Sequence, residues 1–212
     1  FGDTMSGGAG RDAYIAYIVP GILLMTIGST TTGTAVSVSM DMSEGITARF
    51  RTMAIHRGSV LIGRVVGSVL QSIASVVLVG AVGVAIGFRS ADATALEWLA
   101  AFGLLTLFAL ALTWIAVGMG MVSPNPEAAS NNALPLIFLP LISSTFVPLD
   151  SMPGWFQPIA EYQPFTPAIE TLRGLLLGTE IGNNGWIALA WCVGLTALGY
   201  RWSKAVYNRD AK

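Results

Sequence analysis

Cysteine and histidine are almost missing from this sequence, and charge is scarce. The single cysteine, Cys192, cannot supply a disulfide framework or a thiolate zinc site. The single histidine, His56, leaves too little for a metalloenzyme or a Ser-His-Asp hydrolase. No basic run occurs, so nothing points to nucleic acid. Charged residues fill 11% of the 212 positions, whereas soluble domains average about 25%. Apolar residues make up 53% before the 24 glycines are counted, the reverse of the balance that keeps a chain disordered. Composition leaves a membrane protein.

Charge-free runs cover 13–40, 65–88, 98–126, 128–149 and 181–200. About 20 apolar residues, rising about 1.5 Å each, cross a bilayer core about 30 Å thick. Each run suffices, and none alternates as a β-barrel strand would. The reading is an all-α, polytopic, single transmembrane domain with five spans, at about 14–40, 65–88, 98–121, 131–149 and 183–201. The third ends ahead of Ser123-Pro124-Asn125-Pro126, and Asn131 and Asn132 stand where they would cap the fourth.

Arginine and lysine set the orientation. Arg49, Arg51, Arg57 and Arg64 lie between the first two spans, and Arg201, Lys204, Arg209 and Lys212 follow the last. Both groups fall on one side, which the positive-inside rule assigns to the cytoplasm, C-terminus included. The other side carries Arg11, Arg89 and Arg173 against a majority of acids. An outside N-terminus without a targeting sequence leads us to expect an upstream segment with one further span, six in all.

The charge-free runs offer hydroxyls and small residues instead of ion-binding groups, which argues against a proton-driven pump. Thr26, Thr30 and Thr34 form one row; Ser29, Gly33 and Ser37 form another. Gly63, Gly67, Gln71 and Ser75 repeat in the second span. Such rows serve close helix packing or the wall of a substrate path, for which Thr26, Thr30, Thr34, Gln71 and the deep Trp114 are the candidates. Trp98, Trp155, Trp186 and Trp202 stand where indoles anchor at the interface.

Between the first two spans, Asp41 and Glu44 have capping-box spacing, and Ile46, Phe50 and Met53 follow at helical period. The pattern predicts a short amphipathic helix at about 43–54, lying on headgroups or docking on a partner. The segment 148–180 holds Pro148, Pro153, Pro158, Pro164 and Pro167 and cannot be one helix. Thr166-Pro167 offers a cap and a first-turn proline, Glu170 sits near a helix start, and Gly178 offers a stop. It reads as an outer re-entrant or interfacial helical segment that caps the route, or as a plain external loop.

The stretch Asp41-Met42-Ser43-Glu44-Gly45-Ile46-Thr47-Ala48-Arg49-Phe50-Arg51-Thr52-Met53, with Gly58 and Gly63-Arg64, resembles the cytoplasmic loop of type-2 ABC exporter permeases. Phe138-Leu139-Pro140, Phe146-Val147-Pro148, Met152-Pro153-Gly154-Trp155-Phe156, Pro164-Phe165-Thr166-Pro167 and Glu170-Thr171-Leu172-Arg173-Gly174 resemble the region before that family's last span. The daunorubicin-resistance permeases are the most similar branch, and the resemblance covers about 14–203. One departure is Ala54, where many relatives have proline.

The resemblance implies that 43–54 is a coupling helix seated in a separate ATP-binding subunit. Glu44, Arg49 and Arg51 would be its polar contacts, and Phe50 or Met53 its apolar anchors. The chain has no Gly-x-x-x-x-Gly-Lys-Ser/Thr loop, so ATP and Mg would belong to that partner, and this chain would carry no cofactor and no catalytic residue. Two ATPases would serve a pair of permeases, identical or different. Pro148, Pro153, Trp155, Pro164, Pro167 and Glu170 would form an outer gate. The expected cargo is a hydrophobic or amphiphilic drug; lipids or lipid-linked glycans, and a secondary transporter without ATP, are the alternatives.

Overall fold

A computed structural model describes residues 10–44, 57–90 and 93–209. Among them every regular element is a helix. The helix α1 (Gly10–Ser43) descends from one end of the molecule, α2 (Arg57–Ile86) returns, and α3 (Ala95–Val122) descends again. These three are long and apolar enough to cross a membrane. Then come α4 (Pro126–Phe138), two 3₁₀ turns (Leu139–Ile142 and Leu149–Ser151), α5 (Gln157–Tyr162), α6 (Phe165–Leu177) and α7 (Asn184–Arg209).

The helices overrun the charge-free stretches that announced them. Asp41 lies inside α1, Arg64 inside α2 and Glu97 inside α3. Thr94 and Glu97 close a capping box that starts α3, with the Thr94 N–H donating to the Glu97 carboxylate at 2.6 Å. At the end of α2, Gly87 takes φ 124°, where a side chain would be strained. That turn lets the Phe88 N–H reach back to the Gly83 carbonyl at 2.9 Å and folds the Phe88 ring inward, buried.

The core lies where α1, α3 and α6 meet. Leu24, Ile27, Phe108, Phe165, Ile169 and Leu172 are fully buried there, and the Phe108 and Phe165 rings meet edge to face at 4.9 Å. A smaller cluster at the far end joins Val38, Val65, Trp114, Val117, Met121 and Tyr207. α2, by contrast, turns Ile62, Val66, Leu70, Leu78 and Val82 outward, an apolar face suited to lipid.

Three sequence expectations are corrected. The stretch 131–149 is not one continuous helix: α4 starts five residues earlier, capped by Asn125 (which accepts from the Ala128 N–H at 2.7 Å) with Pro126 in its first turn, and not by Asn131 or Asn132. It gives way at Phe138 to a 3₁₀ turn holding Pro140 and then to turns at 143–147. The Ser143 hydroxyl donates to the Pro140 carbonyl at 2.5 Å, supporting a stop that charge counting could not register. Second, Asp41–Ser43 is the end of α1 rather than a helix start, because nothing before Asp41 breaks the helix. Third, α6 begins at Phe165 behind Pro164, so Thr166-Pro167 lies inside it. Gly178 does end α6, at φ 71°.

Candidate functional site

At the α6 end a cation lies in the interior. Arg173 is only 4% exposed. Its Nη1 pairs with Glu170 Oε1 at 2.7 Å, one turn back on α6. Nη2 donates to the Ser144 and Thr145 carbonyls at 2.7 and 3.4 Å, and Nε to the Tyr17 carbonyl at 3.1 Å. The guanidinium also lies over the Tyr17 ring, 3.6 Å from its centroid. The Tyr17 hydroxyl donates to the Ser144 carbonyl at 3.0 Å. One planar fork therefore ties together α1, the turn after α4, and α6. A lysine, with a single point of charge, could not span them.

The prolines shape what surrounds it. Pro148 precedes the second 3₁₀ turn, and the Pro153 carbonyl accepts from the Phe156 and Gln157 N–H groups at 2.8 and 3.1 Å. Pro164 stands before α6, while Pro167 is buried within it. Trp155 stands apart, 76% exposed and edge-on to Phe156. Thr166 donates to the Ala160 carbonyl at 2.5 Å and so joins α6 to α5. Of the gate candidates, the structure brings Glu170 into the buried cluster and leaves Trp155 and Pro153 outside it.

The opposite end of α1 and α2 is built differently. Asp41 and Arg64 pair at 3.0 Å with 36% and 35% of their side chains exposed, and Arg64 Nη2 also donates to Ser37. Above them a groove of about 360 Å³ runs between the helices, lined by Gly33, Thr34, Ser37, Gly63, Arg64, Gly67, Ser68 and Gln71. A Cβ at Gly33, Gly63 or Gly67 would meet nothing within 4 Å. Among the described residues these glycines therefore make no helix contact; they leave a smooth open wall. Thr30 and Ser72 share a hydrogen bond across the two helices at 2.8 Å.

The candidate path residues do not all meet. Thr34 and Gln71 line the groove, and Thr30 lies beside it. Thr26, Thr30 and Thr34 each donate to the carbonyl four residues earlier, at 2.8, 3.1 and 3.3 Å, so their hydroxyl protons are spent on α1 itself. Trp114 is elsewhere. It is buried between α3 and α7, edge-on to Tyr200 at 5.1 Å, where Gly199 lets the helices close. Of the coupling candidates, Glu44 sits exposed in the turn after α1; Arg49, Phe50, Arg51 and Met53 lie outside the described residues. No cluster of metal-binding side chains occurs among the described residues.

Sequence reasoning passed over Tyr17, Ser144, Thr145 and the burial of Arg173. The available signal was the Glu170–Arg173 spacing of three on a helix.

Long apolar helices, a broken helical segment at one end and a polar groove at the other define a multi-pass membrane protein. Residues 1–177 match the family model described as ABC-2 type transporter. The chain is 31% identical over 199 residues to the daunorubicin resistance ABC transporter permease protein DrrB1 of Streptomyces coeruleorubidus, covering 91% of this chain and 69% of that one. It is 26% identical over 203 residues to a probable doxorubicin resistance ABC transporter permease protein DrrC of Mycobacterium tuberculosis, covering 90% and 71%. The chain belongs to the ABC-2 type transporter family.

Proposed function

We propose that this chain is the transmembrane permease subunit of an ATP-driven exporter that moves a hydrophobic or amphiphilic, drug-like substrate out of the cell by alternating access. The observation that carries this reading is Gln71. It lies exposed near the middle of α2, beside the open glycines of the groove. A polar side chain at that depth is disfavoured against lipid and suits a water-lined or protein-lined wall. The groove is open while the α6 end is tied shut by Arg173, an arrangement that supports access from one side at a time.

In this reading the Arg64 end faces the cytoplasm. The positively charged stretches at 57–64 and 201–209 fall at that same end, in line with the positive-inside rule. The membrane is the cell's inner membrane, the C-terminus is cytoplasmic, and α4 with its 3₁₀ turn and α7 supply the fourth and fifth crossings. The segment after Glu44 docks on an ATPase subunit that holds ATP and Mg, two copies serving two permeases. The names of the relatives support a drug as cargo.

Affinity purification of the full-length protein from its own membranes, in mild detergent and in lipid nanodiscs, tests this. A stoichiometric partner with a phosphate-binding loop is the expected companion. Recovery without any ATPase in both media would contradict the proposal.

A further inference from the structure

A second cavity lies at the α6 end, on the flank away from Arg173's carbonyl partners. It measures about 250 Å³ and is lined by carbon-rich side chains of three helices, among them Val19, Leu23, Val76, Phe102 and Leu105, with Leu176 at its back. Phe88, folded in by the Gly87 turn, also lines it, and Ser90 fixes that turn by donating to the Leu176 carbonyl at 2.7 Å. Trp98 stands at its rim, 44% exposed. None of the described side chains lining it is charged or carries a hydroxyl or amide. A drug-sized ligand is ordinarily oriented by a few placed polar groups, and the described lining offers only the Trp98 indole N–H at the rim. The molecules at hand to fill it in a bilayer are acyl chains.

Arg89 adds a charge next in the chain to Phe88, which lines the cleft. It is exposed, follows Phe88 directly, and pairs with no described residue. A basic residue at the membrane surface attracts anionic headgroups, and an indole beside it favours the same depth. We infer that this cleft is a binding site for one anionic phospholipid of the leaflet at the α6 end, its acyl chain between α1, α2 and α3 and its phosphate against Arg89. The inference needs only that the helices are in a bilayer, and is independent of the cargo.

Trp98 is a built-in probe. Full-length protein is reconstituted in zwitterionic vesicles containing a minor fraction of phospholipid with a brominated acyl chain, either phosphatidylglycerol or phosphatidylcholine. The Trp98 signal is the difference between the native protein and Trp98→Phe. The anionic brominated lipid is expected to quench it at about fivefold lower mole fraction than the zwitterionic one, the ~1 kcal/mol expected of one basic residue at a membrane surface. Arg89→Gln should erase that preference. Gly80→Leu should block the cleft and reduce quenching by both lipids to the level of the bulk; a Cβ at Gly80 meets only Leu23 Cδ2, at 3.8 Å. Equal quenching by the two lipids in the native protein, or a preference unchanged in Arg89→Gln, would overturn the site. Arg89→Gln is a surface change, so the test stands even where Gly80→Leu fails to fold.

Discussion

The two ends of α1 each hold an arginine paired with a carboxylate, at 2.7 and 3.0 Å, yet the pairs do different physical work. Arg173 is buried, and its charge is tolerable only because Glu170 and the carbonyls of Tyr17, Ser144 and Thr145 surround it. Arg64 and Asp41 are each about a third exposed, where water screens the attraction. The same contrast runs along the helix. Gly21 packs on Thr145 and Gly28 on the Leu136 carbonyl, while Gly33 faces open space. α1 is packed closely on its neighbours at one end and borders an open, polar wall at the other.

Breaking the buried end should cost most. Arg173→Met strands the Glu170 carboxylate and removes the donor shared by the Tyr17, Ser144 and Thr145 carbonyls, and about 3–5 kcal/mol of stability should be lost, read as a fall in thermal unfolding temperature in detergent. Arg173→Met combined with Glu170→Leu should regain part of that loss. A single variant as stable as the native protein would mean the cluster holds nothing together.

Glycine substitutions sharpen the comparison. At Gly28 an added Cβ lies 2.5 Å from the Leu136 carbonyl oxygen, so Gly28→Leu must push α1 from α4, costing about 1–3 kcal/mol. Gly67→Leu meets nothing, and stability should stay within about 0.5 kcal/mol. Export should nonetheless fall in Gly67→Leu, because the groove is filled; stability and transport measured together separate the two glycines.

The smallest effect belongs to the exposed pair. Arg64→Ala should cost no more than about 1 kcal/mol, and the swap Asp41→Arg with Arg64→Asp should restore most of it. A loss as large as that of Arg173→Met would erase the distinction between the ends.

Three long helices were legible in the sequence because charge-free runs of that length have little else to do. Their ends were not, since Asp41, Arg64 and Glu97 are accommodated by pairing and capping inside the helices. The broken fourth region was read through because Pro140 and the hydroxyls of 143–145 interrupt a helix without adding charge. Asp41 to Glu44 has the spacing of a cap but no break in front of it, so α1 simply continues. Arg173 gave itself away least: its carbonyl partners lie 28, 29 and 156 residues distant in the chain, and a sequence carries no mark of which carbonyl a side chain will reach. Thr34 and Gln71 come together at the groove between α1 and α2, while Trp114 lies between α3 and α7, because depth along a helix does not tell its facing.

Thiol accessibility from each side of the membrane separates the two ends. In full-length protein with its partner and with Cys192→Ala, Gly67→Cys and Ser143→Cys are labelled with a membrane-impermeant thiol reagent from either side. Without nucleotide, Gly67→Cys should react from the cytoplasmic side and Ser143→Cys from neither; with ATP trapped, Gly67→Cys should become protected and Ser143→Cys should react from outside. Reaction of Ser143→Cys in the resting protein, or labelling of both positions that ignores nucleotide, would contradict alternating access through this groove.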